Sequence, residues 1–199
     1  MRIVFVRLAG IGLCLSLAAC QPGSGLSGLP SLSMLSGRAE TVVLDGAIRV
    51  VAPRGYCIEP QSAAGSAQTA VVFLGRCAAR SKVVAALVTI SIGAEASGGV
   101  MTAGGVALAA FFQSEEGRAT LSRSAKAEDV TLISASGSES VLWLYLNDAA
   151  IGSYWRAISA ISGRLVTLSA TGTVEHPLLP EDGRALLEAS YSALQKANR

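Results

Sequence analysis

Four apolar runs near the C-terminal half constrain this chain more than any other feature. They are Val130–Ser134, Val141–Leu146, Tyr154–Ile161 and Leu165–Ala170. Short turn-forming segments separate them: Ser136-Gly137-Ser138, Asn147-Asp148 and Ser162-Gly163. Runs of this length, rich in β-branched and aromatic residues and punctuated by glycine, predict an antiparallel meander. Alternation along Val141–Leu146 places Val141, Trp143 and Tyr145 on one face and Leu142, Leu144 and Leu146 on the other. The leucine face is expected to pack on helices. The Trp143/Tyr145 face is expected to point outward or to cover a cleft, joined by some of Tyr154, Trp155 and Arg156.

Upstream, Thr41–Leu44 and Ile48–Val51 flank Asp45-Gly46, a two-residue hairpin signal. Pro53-Arg54-Gly55 ends the second strand. Ala70–Leu74 is a further apolar run, and Val83–Ile92 predicts a central strand that is apolar on both faces at its start. Gly93–Gly105 is rich in glycine. It lacks the lysine and hydroxyl of a phosphate-binding loop, so a flexible connection is expected there. Val106–Phe112 predicts a helix with Leu108, Phe111 and Phe112 close to one face and Val106 near it. Glu115, Glu116 and Arg118 mark a solvated side, Gly117 interrupts the helix, and Lys126–Asp129 is a charged turn. A last helix runs from Pro180 to about Lys196, with Leu186, Leu187, Tyr191 and Leu194 at helical spacing and charges that suit the helix dipole. It is expected to lie across the sheet.

The N-terminus reads differently. Arg2 and Arg7 precede an apolar run with no acid among them, and Leu17-Ala18-Ala19-Cys20 closes it. The apolar part spans about a dozen residues, against the roughly 20 that a membrane-spanning helix needs. Charged start, apolar middle and small residues before a cut are the parts of a secretory signal. Leu17-Ala18-Ala19-Cys20 resembles the lipobox of bacterial lipoproteins. That resemblance implies a signal peptide over 1–19 and a Cys20 carrying diacylglycerol and an N-terminal acyl chain such as palmitate. The membrane is then a partner through the anchor, since two or more chains hold stably where one does not. Gln21 follows the cysteine in place of the aspartate that retains such proteins at the inner membrane. The expected location is therefore the outer membrane, facing the periplasm.

Residues 20–40 have a linker composition of glycine, serine and proline, with a reach of roughly 25 Å as a coil. Residues 41–199 are expected to form one globular domain. Removing 1–19 takes away two arginines and no acid, which leaves 14 basic against 14 acidic side chains. A balanced charge argues against a nucleic-acid partner. Cys14 leaves with the signal and Cys20 takes the lipid, so Cys57 and Cys77 remain in an oxidising compartment. A Cys57–Cys77 disulfide is the expected pairing. Two thiols at long spacing suit neither a redox pair nor a metal site. The polar, proline-broken Glu59–Gln68 reads as the loop this bond restrains.

The order of hairpin, strands, helix, meander and final helix predicts an α+β fold, an antiparallel sheet covered by two helices. The stretch Val50-Val51-Ala52-Pro53-Arg54-Gly55-Tyr56 is similar to the opening of the PsbP-like fold. The strand Gly163–Leu168 followed by the helix Leu186–Leu194 is similar to its close. Proteins of that fold mostly bind, and fold does not carry function.

Two function classes stand against each other. A binding or assembly module needs an anchor, a tether, a rigid sheet and a surface patch. Trp143, Tyr145, Tyr154, Trp155 and Arg156 are the candidate patch, because aromatics and arginine dominate binding centres. The partner would be an envelope protein or a small ligand. An envelope hydrolase would have to use His176, the single histidine, as its general base, and no Gly-x-Ser-x-Gly elbow accompanies it. No paired histidines or acids stand at metal-ligand spacing, and no cofactor motif is present. The expectation is a binding module with no catalytic role.

Overall fold

The computed structural model describes residues 37–60, 64–77, 82–138, 140–173 and 175–199. The signal segment, Cys14, Cys20 and most of the linker lie outside the described residues. The described fold begins at Gly37, four residues before the expected start. The Ile58 N–H donates to the Arg38 carbonyl and the Ala52 N–H to the Ala39 carbonyl, so these residues are bound into the domain.

Two sheets form. The first is a hairpin of β1 (Glu40–Val43) and β2 (Ile48–Val51), in register Val43 opposite Ile48. Its loop has four residues and not two. Leu44, Asp45 and Gly46 all take positive φ, and the Ala47 N–H returns to the Leu44 carbonyl. Asp-Gly was a sound turn signal, but Leu44 is drawn into the turn.

The second sheet is antiparallel throughout. It uses β3 (Tyr56–Ile58), β4 (Ala64–Gly65), β5 (Ala70–Arg76), β6 (Leu87–Ile92), β7 (Val130–Gly137), β8 (Val141–Asp148), β9 (Gly152–Ile161) and β10 (Arg164–Thr171). The order is β3-β5-β6-β10-β9-β8-β7, and the short β4, inside the expected loop, pairs with β5. The meander β7 to β10 forms in the expected order. Its strands are longer than the apolar runs: Gly137, Asn147 and Asp148 are paired strand residues rather than turns. Val83–Ala86 stays outside β6, which starts at Leu87 and sits between β5 and β10.

The chain crosses from β6 in mid-sheet to the edge strand β7 through helical segments. A 3-10 segment (Ser97–Ala103) leads into α1 (Gly105–Gln113) and α2 (Glu115–Leu121), and a 3-10 turn (Ala127–Asp129) closes the crossing. The break between α1 and α2 falls at Ser114 and not at Gly117. The Ser114 hydroxyl donates to the Phe111 carbonyl and accepts from the Gly117 N–H, ending one helix and capping the next. Gly117 is needed because its missing Cβ would stand 2.0 Å from the Phe111 carbonyl oxygen. α3 (Pro180–Ala197) is the third α-helix among the described residues.

Both faces of the meander are covered. On one, Leu142, Leu144 and Leu146 pack with Leu108, Leu121, Met101 and Ile158 under α1 and α2, as alternation predicts. On the other, Val166, Leu168, Ala157 and Trp143 pack with Leu186, Leu187 and Leu194 of α3, and the β1–β2 hairpin joins them through Ile48 and Val50. Within α1 only Leu108 is buried, Phe111 is 38 % exposed, and Val106 is 89 % exposed, well off the face expected for it.

The glycine-rich crossing is a lock and not a flexible connection. The Gly98 N–H donates to the Gly163 carbonyl, and a Cβ at Gly98 would stand 2.9 Å from that backbone. The Ser97 hydroxyl accepts from the Leu165 N–H at 2.9 Å. The buried Arg164 donates to the Gln68 and Gly93 carbonyls at 3.0 Å each. At the far side of the sheet, Cys57 and Cys77 are disulfide-bonded, tying β3 to the end of β5.

Candidate functional site

The register of β8 and β9 decides which candidate side chains meet. Tyr145 lies opposite Trp155, Leu144 opposite Arg156 and Leu146 opposite Tyr154. Trp143, Tyr145 and Trp155 therefore share the α3 face, while Tyr154 and Arg156 share the leucine face. The five residues form two clusters, one on each side of the sheet, rather than one surface.

On the α3 face the Tyr145 and Trp155 rings stack with centroids 5.0 Å apart. The Trp155 indole N–H donates to the Pro180 carbonyl at 2.7 Å, fastening β9 to the first turn of α3. Gly183 lets that turn approach, since a Cβ there would meet Trp155 at 3.1 Å. One turn on, Arg184 lays its guanidinium over Trp143 at 4.2 Å and over Trp155 at 5.0 Å. Its Nε bonds Glu188 at 2.6 Å. Tyr191 completes the row, edge-on to Trp143 at 5.8 Å. Trp143 is only 8 % exposed, so it anchors α3 and does not face outward as expected. Arg184 escaped the sequence reading. Its signal was the spacing Arg184, Glu188, Tyr191, which is one helix stripe beside the core.

On the other face Tyr154 is buried at 3 % exposure among the leucines. Burial raises its phenol pKa above the ordinary value. Arg156 and Arg123 act against that rise and Asp148 adds to it. Arg156 lies 5.4 Å above the Tyr154 ring and donates through Nε to the Ser169 hydroxyl at 3.3 Å.

Ser169 opens onto a part of the sheet that α1 and α2, which pack on β7 and β8, leave partly exposed. Across β5, β6 and β10 this face carries Thr89, Ser91, Thr167, Ser169 and Thr171 with Val71, all half-buried, and Phe73, 37 % exposed opposite Thr89. Cross-strand pairs fix the array: Thr89 is opposite Ser169, Ser91 opposite Thr167, and Val71 opposite Ser91. Leu87 at its edge is 40 % exposed. The opposite side of the same strands is buried against α3 and the hairpin.

His176 is exposed in the loop before α3. Its N–H donates to the Thr173 hydroxyl and its carbonyl accepts from the Thr173 N–H, so its backbone closes a turn. Among the described residues no side chain bonds its imidazole. Also among the described residues, no group of three or more His, Cys, Asp or Glu is placed to hold a metal, and no helix is long and apolar enough to cross a membrane. No family model, curated protein or solved structure matches the chain.

Proposed function

We propose that this protein is a binding or assembly module of the bacterial envelope, anchored through Cys20, whose partner is another envelope protein. The PsbP-like reading of its sheet belongs to this proposal. So do the lipobox at Leu17-Ala18-Ala19-Cys20, the outer-membrane location and the absence of a catalytic role. The observation that supports it is the hydroxyl-rich array on β5, β6 and β10. A sheet face backed by a packed core is rigid, and a rigid face presents its groups without an ordering cost on binding. Three strands are roughly 14 Å across, room for one helix of about 10–12 Å diameter laid beside α1 and α2. The array's threonine and serine hydroxyls both donate and accept, so a polar protein surface suits it. Arg156 at the rim adds a group enriched at binding centres.

The test uses the lipidated full chain in intact cells with a photo-cross-linking residue at Thr89, at Thr167 or, on α3, at Glu188. One adduct of common mass from Thr89 and Thr167, lost with Cys20→Ala, is the expected result. An adduct from Glu188 alone would move the contact to the Trp155–Arg184 row and overturn the assignment. So would no adduct at any position.

A further inference from the structure

We propose that the cavity where β7 begins and β8 ends binds a primary ammonium group. The cavity measures about 260 Å³ and is lined by Ser122, Arg123, Ser124, Asp129, Asp148 and the two alanines that follow. Asp148 carries the inference. It sits on β8 on the same face as Leu142, Leu144 and Leu146, where alternation calls for another apolar side chain. A carboxylate stands there instead, 2 % exposed. Its Oδ1 accepts the Ala150 N–H at 2.8 Å. Its Oδ2 is buried and has no partner among the described residues. Burying a carboxylate oxygen without a donor is costly, so a donor from outside the chain gains much by arriving there.

The other lining groups define that donor. Asp129 lines the same cavity, and one of its oxygens accepts from the Ser124 hydroxyl. The Ser122 and Ser124 hydroxyls are 2.8 Å apart. The Ser122 oxygen already accepts from the Ser124 and Lys126 N–H groups, so the lining supplies two carboxylates and the Ser124 oxygen, and an ammonium group supplies three N–H donors and a positive charge. A calcium ion suits the site less well, because it takes six to eight oxygens and usually several carboxylates. The volume also exceeds what a single small ion fills. Arg123 lines the cavity as a like charge to the ligand, so its removal strengthens binding. A free diamine and a lysine side chain carry the same group, and the probes below separate them.

Isothermal titration calorimetry of the full-length chain with cadaverine, Nα-acetyl-lysine methylamide and calcium chloride tests the site. Saturable binding of an amine is expected, weakened about tenfold or more by Asp148→Asn and by Asp129→Asn, the loss of one charged hydrogen bond. Arg123→Ala should tighten it. Preference for cadaverine marks a free amine as the ligand, and preference for the lysine derivative marks a protein side chain. Asp129 is only partly buried, so Asp129→Asn keeps the test valid should far-UV circular dichroism find Asp148→Asn unfolded. The proposal is overturned if neither amine saturates, if the asparagine variants bind amines as the parent does, or if calcium binds and amines do not displace it.

Discussion

Trp143→Ala separates the packed structure from the pattern of its own strand. Were Trp143 on an outward face, truncation would change stability by no more than about 0.5 kcal/mol. Instead the ring is 8 % exposed, with Arg184 above it and Tyr191 at its edge. Truncating a buried tryptophan costs about 3–5 kcal/mol. That total includes the edge-on pair, roughly 0.5–1.5 kcal/mol, and the guanidinium contact, about 0.5–1 kcal/mol. Arg184 keeps Trp155 as a second ring, which moderates the loss. The expected cost is about 4 kcal/mol, or a fall in Tm of roughly 10 °C for a domain of this size. Urea unfolding followed by far-UV circular dichroism is the assay, because the substitution removes one of the two tryptophans. Leu144→Ala, at 0 % exposure on the opposite face, should cost about 2–5 kcal/mol in the same assay. A loss below about 1 kcal/mol for Trp143→Ala beside a full loss for Leu144→Ala would refute the packing of α3 on this strand.

Other expectations follow from single contacts. Replacing both Cys57 and Cys77 by alanine releases a cross-link with a sequence separation of 20, a loss of about 3 kcal/mol in the chain-entropy model; denaturant unfolding reads it. Burial raises the pKa of both Tyr56 and Tyr154. The unfolded chain therefore releases these protons first, near pH 10. Stability should fall as pH rises above that value and through the folded pKa values. Spectrophotometric titration should find two tyrosines ionising late, one fewer in Tyr154→Phe. Gly117→Ala forces a methyl against the Phe111 carbonyl and should cost about 1–3 kcal/mol by overpacking; thermal unfolding that matches the parent would contradict the α1–α2 junction. Asn198 clamps the hairpin to the end of α3, accepting from the Arg49 N–H and donating to its carbonyl. Asn198→Ala should cost about 1–2 kcal/mol and speed hydrogen exchange in β1 and β2 ahead of the main sheet.

The local periodicities of this chain could be read without coordinates. Apolar runs locate β7 to β10, the faces of β8 follow from a period of two, and the Leu186/Leu187/Leu194 stripe marks α3. Cys57 and Cys77 pair as their number implies. Such features depend on neighbours within a few residues, so sequence spacing suffices. The candidate site was less legible. Tyr154, Trp155 and Arg156 are consecutive, so a strand must divide them between its faces. Which partner each meets depends on the β8–β9 register, and Tyr145 opposite Trp155 is a fact of that pairing alone.

What tertiary structure decided is everything that requires two distant segments to meet. Strand pairing inserts β6 between β5 and β10, the docking of α3 buries Trp143 under Arg184, and the partial exposure of Thr89 and Thr167 depends on where the crossing helices stop. Asp148 shows the limit most clearly. Asparagine-aspartate after an apolar run has the composition of a turn, and only the packing of β7 against β8 makes it a buried strand residue. Composition reports what a residue favours alone, whereas burial is set by whichever surface the rest of the chain brings to it.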